Sequence, residues 1–85
     1  MGIKNFAKKL GRLKGKEVKI RISHKLYGIQ NIKYNFQLID DDNRLGFSIN
    51  GEAIYIKKNE ICNFGAIDNM YYFADKLMRI ELQTT

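Results

Sequence analysis

Three consecutive carboxylates, Asp40, Asp41 and Asp42, followed by Asn43, Gly46 and Glu52, come close to the spacing of a calcium-binding EF-hand loop. Oxygen donors at alternate positions and a closing glutamate suit a hard cation, but Leu45 stands where the third donor belongs. An EF-hand loop also joins two helices, whereas this stretch runs through the apolar alternation Leu45, Phe47, Ile49. The acids are therefore expected to shape a turn, because short Asp and Asn side chains bond nearby backbone groups. Nucleophilic chemistry would need a base beside its nucleophile, and the single histidine, His24, and single cysteine, Cys62, sit in no such motif. His24 is expected in an exposed loop and Cys62 as a small buried hydrophobe that can form no internal disulfide. No four-donor zinc set and no glycine-rich phosphate loop is present. No catalytic residue, metal, cofactor or small-molecule substrate is expected, and the protein is read as a non-enzyme.

Surface chemistry remains. The formal charge is +6, and residues 1 to 25 hold nine Lys and Arg against Glu17 alone, while residues 26 to 85 hold six against eight acids. The positive field is thus an N-terminal property, suited to phosphates or acidic surfaces. Lys4, Lys8 and Arg12 are candidate phosphate contacts, joined by Lys19 and Arg21 from the next segment. Tyr55, Tyr72 and Arg79 fall on the non-core sides of their segments, where the tyrosines could stack on bases.

These residues need elements to position them. Ile3, Phe6, Ala7, Leu10 and Leu13 follow three-and-four spacing, which predicts an amphipathic helix over 3–13 closed by Gly15. From Glu17 the period becomes two: Val18, Ile20 and Ile22 alternate with Lys19, Arg21 and Ser23, predicting a strand with a cationic outer face. A loop is expected over His24 to Gln30, then one long strand through Ile32, Tyr34, Phe36 and Leu38. Centring a hairpin on Asp41-Asp42 opposes Leu38 to Leu45 and Phe36 to Phe47. A type I′ turn at Asn50-Gly51 opposes Phe47 to Ile54 and Leu45 to Ile56. All the large apolar side chains then share one face. A short strand at Ile61 to Phe64, a loop over Gly65 to Asn69, and a hairpin opposing Phe73 to Met78 and Tyr71 to Ile80 complete the chain.

The fold class expected is mainly β, a small SH3-like or Sm-like barrel of five to seven antiparallel meander strands with an N-terminal α-helix. At 85 residues it forms a single domain, residues 1–85, with the barrel over 17–82. Such a domain buries only about 60 to 65% of its unfolded surface, leaving little room for a deep cleft. No apolar run approaches the roughly 20 residues of a membrane helix and no signal-peptide series is present, so no membrane partner and a cytoplasmic location are expected.

Over residues 3–62 the chain resembles a bacterial Sm-like protein of the Hfq type. The likeness lies in the short basic helix "FAKKLGRLKG", the strand "VKIRI", the long strand "IKYNFQLID" turning into "RLGFSI", and "AIYIKKNEI". The resemblance implies a small barrel that binds RNA, with Asp40 near a nucleotide pocket and Lys58 touching the RNA. Taken together, the residues and the resemblance lead to a nucleic-acid-binding module, RNA ahead of DNA. Its alternative is a protein-interaction or self-assembling barrel that associates through a strand edge.

Overall fold

The computed structural model describes residues 2–84. Helix α1 (Ile3–Gly11) leads into eight antiparallel strands in two sheets. Strands β1 (Glu17–His24), β2 (Gly28–Asn35), β6 (Asn63–Ile67), β7 (Met70–Ala74) and β8 (Met78–Thr84) form a five-stranded sheet in the order β2-β1-β8-β7-β6. Strands β3 (Leu38–Asp40), β4 (Arg44–Ile49) and β5 (Glu52–Lys57) form a second sheet in the order β3-β4-β5. The first sheet is no meander: the last strand, β8, inserts between β1 and β7, so the first and last strands pair in its interior. Two separate ladders result, and they do not close into a barrel. No helix of the described residues is long and apolar enough to cross a membrane.

The core lies between the sheets. Val18, Ile20, Ile22, Phe73, Ile80 and Leu82 supply it from one side, and Leu45, Phe47 and Ile56 from the other. The helix covers an open margin, packing against β3 and β6 with Phe6, Ala7 and Leu10 buried. It ends two residues before the expected Leu13, in a run of i to i−3 bonds from Arg12, Leu13 and Lys14. Leu13 is buried nonetheless, and Gly15, at φ 76°, donates its N–H to the Phe36 carbonyl.

Strands β1, β4, β5, β7 and β8 turn inward the apolar residues that the alternation predicted, whereas Ile29 of β2 and Ile67 of β6, both expected in loops, are exposed; partners differ more widely. At Asn50-Gly51, φ values of 52° and 81° build the expected turn, and Phe47 opposes Ile54 and Leu45 opposes Ile56 as predicted. At the acidic hairpin the register moves by two: Leu38 opposes Phe47 and Asp40 opposes Leu45. The cause is Asp41, whose Oδ1 accepts the N–H groups of Asn43 (3.0 Å) and Arg44 (2.8 Å), so the acid leads the turn instead of centring it. Asp75 does the same for Leu77 and Met78, and Phe73 accordingly opposes Ile80 where Met78 was expected. An even shift keeps every side chain on its face, so the core composition survives.

Four expectations are corrected. The long strand is broken at Phe36-Gln37: just past the end of β2, Phe36 exchanges backbone bonds with Gly15 and Lys16, and the chain then crosses from one sheet to the other. Its ring still reaches Phe47, with centroids 6.3 Å apart. The His24 to Gln30 loop shrinks to a three-residue turn, with His24 Nδ1 accepting the Leu26 N–H at 3.0 Å and β2 starting at Gly28. The Gly65 to Asn69 loop is mostly strand β6, turned at Asp68 (φ 54°), and Cys62 is exposed rather than buried.

Asp41 also meets Arg44 Nε through Oδ2 at 2.8 Å. The Arg44 hydrogen bond, helped by the N–H of Asn43, holds this carboxyl below its ordinary 3.8. A depressed folded-state value means that Asp41 stabilises the fold above 3.8 and ceases to do so as pH falls through the folded value. The stability difference between wild type and Asp41→Asn, measured by urea titration, is therefore expected to be largest above pH 5 and to shrink below 3.8. A difference independent of pH would show that the carboxylate charge plays no part in the turn.

Candidate functional site

The alternation that buries Val18, Ile20 and Ile22 turns Lys19, Arg21 and Ser23 outward on a strand in the interior of the five-stranded sheet. Pairing then builds a surface around them. Lys19 lies directly opposite Lys33 of β2 and Gln83 of β8, and Arg21 lies opposite Asn31 and Glu81. These residues line a shallow depression of about 430 Å³ on the sheet's outer face.

Like charges directly opposed across two strands destabilise a sheet by a few tenths to about 1 kcal/mol. Lys33 finds partial relief in Glu17 at 3.5 Å, and Arg21 approaches Glu81 at 3.8 Å, whereas Lys19 makes no ion pair among the described residues. The depression thus holds three cations close together with one of them uncompensated. Such a place attracts anions.

Beside the depression stands a layered group. Tyr72, opposite Gly65 of β6, leans its ring onto that glycine: a Cβ there would sit 2.7 Å from the phenolic oxygen. The Arg79 guanidinium lies over the ring, 4.3 Å from its centroid, and Arg79 Nε is 3.5 Å from Glu81. Glu81 therefore sits between Arg21 and Arg79 and orders both.

The nine predicted contact residues fall on three surfaces. Lys19, Arg21 and Tyr72 share the outer face just described. Lys4, Lys8 and Arg12 are exposed on the side of α1 away from the core, and α1 packs on the opposite, core-facing side of the sheets. The expected single N-terminal basic surface is divided for that reason. Asp40, Tyr55 and Lys58 belong to the second sheet and the 3₁₀ turn after it. There, the two residues implicated by the Sm-like resemblance meet, with Lys58 Nζ 2.6 Å from Asp40 Oδ1. Tyr55 lies beneath Arg44, with the guanidinium 5.1 Å from the ring centroid. Both tyrosines expected to stack on bases are thus roofed by arginines.

Lys33, Asn31 and Gln83 were not among the predicted contacts. Each lies on the outward side of its strand by alternation, but only the pairing of β1 with β2 and with β8 brings them to Lys19. Gly28, at φ 84°, is the local sign that could have shortened the first loop and disclosed the β1–β2 hairpin.

Among the described residues, no three His, Cys, Asp or Glu side chains converge as a metal site. No protein-family model matches this chain, and neither the curated proteins nor the solved structures include a significant match.

Proposed function

We propose that this protein is a non-enzymatic nucleic-acid-binding module that holds single-stranded nucleic acid, RNA ahead of DNA, on the outer face of its five-stranded sheet. The observation that carries this reading is Lys19 set against Lys33, with Arg21 alongside, in a depression open to solvent. A backbone phosphate between the two ammonium groups would offset their repulsion and release counterions. Lys4, Lys8 and Arg12 would add to the long-range field without touching the same nucleotides. The preference for RNA, and any kinship with Sm-like or SH3-like barrels, rests on the sequence runs quoted above.

Fluorescence anisotropy of a short labelled single-stranded RNA, titrated at increasing salt, tests the proposal. Affinity is expected to fall by about 0.7 log units per tenfold salt for each phosphate contacted. Absence of binding at low salt, or binding indifferent to salt, would overturn it. Lys19→Glu gives a sharper contrast: it places opposite charges across β1 and β2, so the fold should gain about 0.2 to 1 kcal/mol while RNA binding weakens. A variant that loses stability and binding together would make Lys19 a structural residue.

One feature favours the alternative, a self-associating protein with no nucleic-acid role. Among the described residues, strand β2 pairs only with β1 and stands at the edge of its sheet, and Leu26, Tyr27 and Ile29 at its start are 72%, 83% and 57% exposed. Unpaired backbone donors and acceptors beside apolar side chains are a template for strand addition. A dimer or larger ring whose mass, by sedimentation, is unchanged by salt and whose preparations carry no nucleic acid would favour this alternative.

A further inference from the structure

We infer that Arg79, and not the Tyr72 ring beneath it, is the surface on which a nucleobase stacks, an inference that rests on the nucleic-acid reading above. Tyr72 is engaged at two places: its phenolic end lies against Gly65, and its ring lies under the Arg79 guanidinium at 4.3 Å. A base stacking on that covered side of the ring would have to lift Arg79 off it and away from Glu81, 3.5 Å from Nε. The guanidinium itself is planar, weakly hydrated and suited to stacking. Its side chain keeps 39% of its surface open to solvent. With the ring below and the carboxylate beside it, the plane is held in place before any ligand arrives, which lowers the entropy lost on binding.

Position agrees with this role. Arg79 lies opposite Ser23, four residues along β1 from Lys19, on the same outer face. At about 3.3 Å per residue the two rows are about 13 Å apart, within reach of one short oligonucleotide whose phosphates meet Lys19 and Lys33. Phosphate contact and base contact would then be made by different residues of one surface.

The test compares wild type with Arg79→Lys on two single-stranded RNA probes of equal length, one carrying 2-aminopurine among ordinary bases and one fully abasic. Lysine keeps the charge and removes the plane. Stacking on Arg79 predicts that Arg79→Lys weakens binding of the base-bearing probe by about five- to a hundredfold, the span of one base-stacking contact. The change in 2-aminopurine fluorescence on binding shrinks with it, while affinity for the abasic probe and the salt dependence stay unchanged. Independently of any variant, wild type should bind the base-bearing probe more tightly than the abasic one. Equal wild-type affinity for the two probes, an unaltered Arg79→Lys, or a loss of the same size on both probes overturns the inference but leaves the nucleic-acid reading standing. Wild type that binds neither probe removes that reading, and the stacking surface with it.

Discussion

Replacing Phe6 by alanine is expected to destabilise the protein by about 3 to 5 kcal/mol, the usual cost of deleting a buried aromatic ring. Phe6 is fully buried, and its ring lies 5.2 Å from that of Phe64 and 6.0 Å from that of Phe73. It joins α1 to β6 and β7. A helix of nine residues is marginal on its own, so its formation depends on this docking. Small domains have about 5 to 15 kcal/mol of total stability, and one of this size sits toward the lower end. At about 4 to 8 °C of melting temperature per kcal/mol for chains of this length, Phe6→Ala should lower Tm by 12 °C or more. Thermal melting followed by circular dichroism measures this directly, with Lys8→Ala on the exposed side of the helix expected to stay within about 0.5 kcal/mol of wild type. A change below about 4 °C for Phe6→Ala would mean that the helix is not anchored through this ring.

Gly46→Ala is the second large effect, and its cause is space and not conformation. A Cβ at Gly46 would collide with the Ile54 carbonyl oxygen and lie 2.5 Å from Tyr55 Cα and 2.7 Å from Tyr55 Cβ. None of these atoms can swing aside, because all belong to the backbone of β5 or to the root of a side chain. The strands would have to part, and they hold Leu45, Phe47 and Ile56 in the core. A cost on the order of 3 kcal/mol or more is expected, with faster amide exchange concentrated in β4 and β5. Gly65→Ala makes a useful comparison: its Cβ would meet the phenolic end of Tyr72 at 2.7 Å, which is the far end of a side chain that can rotate. That substitution should cost about 1 kcal/mol or less. If urea titrations ranked the two glycines in the opposite order, the close approach of β5 to Gly46 would be wrong.

The two glycines also separate stability from the surface proposed to bind nucleic acid. Gly46 lies in the three-stranded sheet, far along the chain from Lys19 and Arg21. Gly65 supports Tyr72, which supports Arg79. A mild stability change at Gly65 with altered binding of base-bearing RNA would therefore fit the layered arrangement, since lifting the ring lifts the guanidinium.

In β1, β4, β5, β7 and β8 the face that each residue occupies was determined by the chain alone. Val18, Ile20 and Ile22 against Lys19 and Arg21, or Leu45 and Phe47 against Arg44, follow from a side-chain period of two that any strand must obey. Asn50-Gly51 likewise specified its turn, because adjacent positive φ values suit that pair. Partner choice was decided elsewhere. The placement of β8 between β1 and β7, the break at Phe36, and the two-residue shifts led by Asp41 and Asp75 depend on contacts between distant segments or on which turn position an acid takes. An even shift in register leaves the alternation untouched, so no periodic pattern can detect it. The opposition of Lys19 to Lys33 and the cover of Arg79 over Tyr72 belong to that second category, since they come from pairing between strands and not from the order of residues within one.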